Sequence, residues 1–347
     1  MVRILKVVGG VMCMATSVSA GGVERSTQSM DILFQDGRYI ELGAQFARPR
    51  ISGDAPGPTG NIAPNIFQGS FGYKADLTDR LSYAIIADQP IGARVKYPVR
   101  PGVLLSGSTA KIDSFALTGV LRYDLGNGVS VHGGLRSVWT KGEVFLPFAA
   151  DYDMQTKRDQ AWGYLVGAAY EMPEIAARVA VTYNSKVEHE FDHTVNGADV
   201  GTFDMTIPES VQLEFQTGIA EDTLLMGSVR WVRWTEFNIS PVGQPDLVSF
   251  SKNSVTYNLG VGRRFTPNWA GSVMLGYDTG NGRTTGNLQP VSTRRSLGLG
   301  ASYTQDNVTI SAGVTYARLG GARTRVVNGD FSGNSLIGGG IRIGYNF

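Results

Sequence analysis

A single cysteine, Cys13, and three histidines, His132, His189 and His193, stand in a chain of 347 residues. One cysteine excludes a disulfide framework and any zinc site built on several thiolates. Neither sign of charge is in surplus, with 31 basic residues against 30 acidic, so a nucleic-acid partner, which needs a basic excess to neutralise phosphates, is excluded. Charged residues make up only 18% and hydrophobic ones 42%, which rules out a disordered polyelectrolyte. Also missing is any run of about 20 apolar residues, the length a membrane helix needs; Gly, Ser, Thr or a charge interrupts every apolar stretch within a few residues. What the chain has in quantity is glycine, 45 residues, together with 14 Tyr, 15 Phe and 5 Trp. Glycine and aromatics without long apolar runs are the composition of a membrane β-barrel. Only a closed sheet could carry this chain across a bilayer.

The first residues read as an export signal. Arg3 and Lys6 form a short basic region, Val7 to Met14 is apolar apart from its glycines, and Val18-Ser19-Ala20 offers small residues for cleavage. Cleavage after Ala20 removes the cysteine and leaves 29 basic against 30 acidic residues. The expected organisation is therefore a signal peptide over 1–20, a short N-terminal hatch or plug over 21–37, and a barrel over 38–347. The hatch segment is polar at Glu24, Arg25, Ser26, Thr27 and Gln28 but carries Ile32, Leu33 and Phe34.

The last strand shows the pattern most clearly. Ile337, Ile341, Ile343, Tyr345 and Phe347 alternate with Gly338, Gly340, Arg342, Gly344 and Asn346. Successive side chains of a strand point to opposite faces, so one face suits lipid and the other is small or polar. The same parity recurs upstream, and the alternation predicts fourteen strands near 38–49, 66–77, 80–89, 110–124, 128–141, 161–171, 176–188, 206–219, 223–238, 253–265, 269–279, 293–305, 307–319 and 335–347. Short turns alternate with longer loops, the latter including 90–109, 142–160 and 189–205. Short periplasmic turns and long extracellular loops are the asymmetry of outer-membrane barrels. Aromatic residues mark both interfaces: Tyr73, Tyr123, Tyr170, Trp269, Tyr303 and Phe347 near the short turns, and Trp139, Trp162, Tyr183, Phe237, Tyr277 and Tyr316 near the loops.

Several segments resemble the outer-membrane long-chain fatty-acid transporter (FadL-type) family. They are Pro90-Ile91-Gly92 followed by Tyr97, Leu121 to Leu125, Gly133 to Trp139, Tyr183 to Val187, Ile207 to Val211, and Trp231 to Phe237. The resemblance implies a monomeric fourteen-stranded barrel whose lumen is closed by an N-terminal hatch. It also implies uptake of hydrophobic molecules with a polar head, captured outside and released through a gap in the wall. The family's usual Asn-Pro-Ala element in the hatch is absent, Gln28-Ser29-Met30 being the nearest equivalent.

A fatty-acid-like ligand needs an apolar slot and a cation. Leu104 and Leu105 lie on one apolar loop, and Phe145 and Phe148 on the next; exposed apolar loops commonly mark a binding surface, although such loops also pack on one another. Lys141 and Lys252 fall where the resemblance places head-group contacts. Inward charges at Lys74, Arg122, Arg136, Arg178, Glu214, Arg230 and Arg342 suit a wet lumen, with His132 a hydrogen-bonded filler. No cofactor is expected. The partners expected are hydrophobic small molecules, long-chain fatty acids first among them, and outer-membrane lipid. The alternatives are a general diffusion porin or an adhesin, for which the loops are too apolar, and a barrel hydrolase. The His189-x-x-x-His193 spacing gathers metal ligands only on a helix, and this stretch reads as strand end and loop.

Overall fold

The computed structural model describes residues 23–241, 246–280, 282–286, 290–325 and 327–347; the expected cleavage after Ala20 lies outside them. The chain forms a closed antiparallel barrel of fourteen strands. These are β1 (Tyr39–Arg50), β2 (Ile66–Asp76), β3 (Leu81–Asp88, continued by Gly92–Lys96), β4 (Thr109–Gly126) and β5 (Val129–Leu146). Next come β6 (Tyr152–Thr156 and Asp159–Met172), β7 (Ala177–Asn184 and Val187–Val195), β8 (Ala198–Ile207 and Ser210–Ala220) and β9 (Thr223–Val232). Strands β10 (Ser254–Arg264), β11 (Trp269–Asp278), β12 (Arg294–Gln305), β13 (Val308–Leu319) and β14 (Ser335–Asn346) complete the wall. Closure is made by β1 on β14, from Tyr39 opposite Asn346 to Arg50 opposite Ser335.

Side-chain parity is as the alternation demands. Ile341, Ile343, Tyr345 and Phe347 face outward, as do Leu297, Leu299, Leu259 and Leu275. Inward, Lys74, His132, Arg136, Glu214 and Arg230 are buried. His132 Nε2 meets Thr182 Oγ1 at 2.9 Å, and Arg136 donates to Asn184 Oδ1 at 2.6 Å. A wall of outward apolar and inward polar residues is what lipid outside and water inside require.

The ladder is incomplete at one place. Strand β2 pairs with β1 from Ile66 to Lys74, but with β3 only from Phe71 to Asp76. Among the described residues, 66–70 therefore have no partner strand on that side. The cause is in β3, which breaks at Gln89-Pro90-Ile91: proline has no N–H to give a ladder and restricts the residue before it.

Three expectations are corrected. The stretches 142–160 and 189–205, read as loops, are largely strand, because β5 to β8 continue as two tall hairpins. The β7–β8 turn is Asn196-Gly197 with φ of 50° and 81°, the pair that a tight hairpin turn requires. Phe237 belongs to no lipid belt. Strand β9 ends at Val232, a 3-10 turn over Trp234–Glu236 swings the chain inward, and Phe237 is buried against Trp234 and Phe250.

Substituting Leu299, mid-strand on the lipid face, tests this parity. Leu299→Arg is expected to destabilise the barrel by about 2–4 kcal/mol in urea titration of the vesicle-inserted protein. A change within about 0.5 kcal/mol would mean that this face does not meet lipid.

Candidate functional site

At the long-loop end the inward positions change character. Ala110 and Ile112 on β4, Val144 on β5, Met154 on β6, Phe191 on β7, and Phe203 and Met205 on β8 are buried and apolar. Ile239, Leu247 and Val248, from the segment after β9, complete a cavity of about 40 Å³, and Val23 of the N-terminal segment lines it too. On the opposite face of these strand extensions stand Glu188, Glu190, Asp192 and Asp204, all exposed. Polarity is thus reversed relative to the membrane-embedded wall: outside meets water, and inside is apolar.

Polar groups at the cavity are paired within the wall. Thr140 lines it and lies 3.2 Å from His189 Nε2, while His189 Nδ1 lies 2.7 Å from Asp159 Oδ2. His193, four residues along β7, donates from Nδ1 to the Gly201 carbonyl at 2.8 Å. Both histidines are on the strand's inward face, buried beside Phe191 and Phe203. Among the described residues no three His, Cys, Asp or Glu side chains gather as metal ligands.

The residues singled out in the sequence are divided between places. Lys141 reaches the cavity rim but has the outward parity of β5 and pairs with Glu143 at 3.6 Å. Its neighbour Lys111 pairs with Asp113 at 2.6 Å. Lys252 is exposed just before β10. Phe145 is on the outer face of β5, and Phe148 is exposed in the turn that follows. Leu104 is exposed, whereas Leu105 is buried in a separate cluster of loops with Ala55, Ile62, Tyr97 and Phe331. Burial there pushes the Tyr97 phenol above its usual range. The apolar strand residues Met154, Phe191, Phe203 and Met205 were missed because their stretches read as loop. The Asn196-Gly197 turn was the signal that could have found them.

The incomplete ladder opens beside this cavity. A void of about 330 Å³ is lined on the lipid side by Phe67, Phe115 and Trp139 and on the inner side by Arg25, Gln68 and Gln89. It shares Ala93 and Ile112 with the apolar cavity. It shares Arg25, Gln68 and Gln89 with a polar cavity of about 190 Å³ lower in the lumen.

The N-terminal segment lies across the break in β3. Gly92 N donates to Val23 O at 2.7 Å and Arg25 N to Pro90 O at 2.9 Å, so this segment takes up backbone groups that the break leaves free. Glu24 pairs with Arg230 at 2.7 Å and Asp31 with Arg178 at 2.5 Å, both within the lumen. Leu33 is fully buried against Ala84, Val120 and Leu165, and Phe34 lies under the guanidinium groups of Arg122 and Arg178.

Comparison with known proteins agrees with this architecture. The chain superposes on the crystal structure of a Pseudomonas aeruginosa FadL homologue with a TM-score of 0.74 and 15% identity, over 91% of this chain and 92% of that one. The Pseudomonas putida toluene transporter TodX gives 0.67 at 13% identity over 95% and 96%. The Ralstonia pickettii toluene transporter TbuX gives 0.62 at 14% over 90% of both chains. At such identities these likenesses establish the fold. No curated protein sequence matches the chain significantly. The model of the outer membrane protein transport protein family (OMPP1/FadL/TodX) matches residues 3–329, and the chain belongs to that family of outer-membrane barrels.

Proposed function

We propose that this chain takes up hydrophobic compounds passively, holding them in the apolar cavity at the long-loop end and releasing them sideways through the gap between β2 and β3. The observation that carries this reading is that the apolar cavity and the void at the gap share Ala93 and Ile112 in their linings. A hydrophobic compound following that route never crosses the polar lower lumen. The N-terminal segment, residues 21–37, is the plug in this scheme, clasping the break in β3 and latched by Arg230 and Arg178.

The cavity could take either of two ligand classes. Uncharged hydrophobic compounds, aromatics among them, are favoured by the two phenylalanines of the lining and by the pairing of Lys141 and Lys111 with Glu143 and Asp113. Long-chain fatty acids, with the carboxylate near Lys141 and Lys252, are the second reading, supported by the place of Lys141 on the cavity rim. In either case apolar burial dominates, since exposed screened charges contribute little.

Binding of a chain-length series to the purified protein tests the cavity. Shortening a ligand by four carbons is expected to lose about 3 kcal/mol, roughly a hundredfold in affinity, at about 0.8 kcal/mol per CH₂. Lys141→Gln or Lys252→Gln is expected to cost about 1 kcal/mol or less. Affinity that is flat with chain length but collapses on losing a lysine would overturn the apolar-slot reading and favour a small-anion channel.

The gap and the plug have separate tests. Gln68→Cys/Gln89→Cys, bridged by a flexible bis-maleimide, is expected to abolish cellular uptake of a fluorescent hydrophobic probe, whereas either single variant retains it. Undiminished uptake in the bridged protein would exclude this exit. Deleting residues 21–36 is expected to raise single-channel conductance, and Arg230→Met, which removes the ion pair of Arg230 with Glu24, to raise it less. Unchanged conductance in the deletion would show that the segment does not block the lumen.

A further inference from the structure

The long-loop rim of the barrel carries its outward charges unevenly. On the side of β4 to β8 outward bases stand beside acids: Lys111 with Asp113 at 2.6 Å, Lys141 with Glu143 at 3.6 Å, and Lys186 with Glu188 at 2.8 Å. On the other side, at the ends of β12, β13, β14 and β1, the outward residues are Arg295, Arg318, Ser335 and Arg50, each directly opposite the next. Arg48 is the next outward position of β1 toward the membrane. All four arginines are exposed, and none has an ion pair among the described residues. The loops above them, 51–65, 279–293 and 320–334, hold only Asp54 and Asp330 as acids. Asp54 accepts from Gly57 N at 2.6 Å, and Asp330 has Arg323 as its cross-strand neighbour.

Like charges directly opposite on adjacent strands repel. Arg295 faces Arg318 in this way, and its one aromatic contact, with the Tyr277 ring at 6.0 Å, is a distant one. An anion from outside the protein would relieve that repulsion, and phosphate is the anion that the guanidinium fork matches in two-point fashion. Ser335 lies between Arg318 and Arg50, which are two strand spacings, about 10 Å, apart. Its short side chain leaves an open floor with a hydroxyl below and a guanidinium on either side. Next toward the membrane on the same strands come Tyr316, Ile337 and, beyond Arg48, Phe46, all exposed on the lipid face. A headgroup held at the row therefore keeps its acyl chains on this apolar wall, from which a free phosphate would gain nothing. We infer that the row is a binding site for a phosphorylated lipid of the outer leaflet. The phosphate lies over Ser335 between Arg50 and Arg318, and the chains run along Phe46, Ile337 and Tyr316. The site is on the outer wall and does not depend on what the apolar cavity takes.

The test is native mass spectrometry of the delipidated full-length protein in detergent. It is titrated with diphosphoryl lipid A, with the same lipid stripped of its phosphates, and with inorganic phosphate. Diphosphoryl lipid A is expected to bind about tenfold more tightly than the stripped lipid, the worth of one charge-assisted hydrogen bond. Inorganic phosphate at equal concentration should not displace it. Arg50→Gln and Arg318→Gln should each remove most of that tenfold preference and leave the stripped lipid bound as before. Arg318→Lys, which keeps the charge but not the fork, should fall between. Arg80→Gln, in the exposed turn between β2 and β3, should change nothing. Heat-modifiable gel mobility checks that each variant remains a folded barrel; if Arg50→Gln or Arg318→Gln does not, Arg295→Gln should reduce the preference instead. Equal binding of the two lipids, or a preference that survives in the Arg50→Gln/Arg318→Gln double variant, would overturn the inference. Displacement of lipid A by equimolar phosphate would assign the row to a free anion and overturn it as well.

Discussion

In hydrocarbon every backbone N–H and C=O must find a partner within the protein, and the rest of this structure depends on that constraint. It dictates that the sheet close, and β1 on β14 closes it over twelve residue pairs. It also makes the missing pairs between β2 and β3 the most consequential feature of the wall. Polar side chains and the N-terminal segment answer the break. Ser114 Oγ accepts from Ile91 N at 3.0 Å and donates to Ile91 O at 2.5 Å, while Val23 and Arg25 bond the residues on either side. An opening in a membrane barrel can exist only where the protein supplies its own substitutes for ladder bonds, and here the N-terminal segment supplies part of them.

Much of the barrel was legible because period-two alternation is physically enforced wherever lipid meets one face and water the other. Ile341, Ile343 and Tyr345 against Gly340, Arg342 and Gly344 leave no second reading. The alternation fails as a guide where the strands rise above the membrane. Phe191 and His193 point inward while Glu190 and Asp192 point outward, so the parity continues but its polarity is inverted. Judged by the membrane rule, such a stretch reads as loop. Phe237 was misjudged for a related reason: an aromatic at a strand end suits either a lipid belt or a turn into the lumen, and only the path of the chain after Val232 decides. Leu105 was drawn by loop burial instead, into a cluster of its own.

The cation expected for an anionic head shows the limit of composition. Lys141 could be located by its place in the strand, but its partner could not, since Glu143 is two residues along the same face. Adjacent outward positions carrying Lys111, Asp113, Lys141 and Glu143 form a mutually compensated patch at the rim. Exposed pairs of this kind contribute little to stability. Their effect at the cavity is to reduce the field that a free ammonium would project there.

A passive channel has no energy source but its ligand, so its gate must open at a cost comparable to ligand binding. The N-terminal segment is held unequally along its length. At its inner end Leu33 is enclosed by Ala84, Val120 and Leu165, and Asp31 pairs with Arg178; releasing that end would expose apolar surface and break a half-buried ion pair. At the break in β3, Val23 itself is held by one short backbone bond, from Gly92 N, worth about 1 kcal/mol net, while its neighbour Glu24 keeps the buried pair with Arg230. A compound burying a few CH₂ groups at about 0.8 kcal/mol each supplies energy on that scale if it displaces Val23, which both lines the cavity and bonds Gly92. In the proposed route, a residue that a ligand would meet in the cavity is therefore also one that helps close the way out.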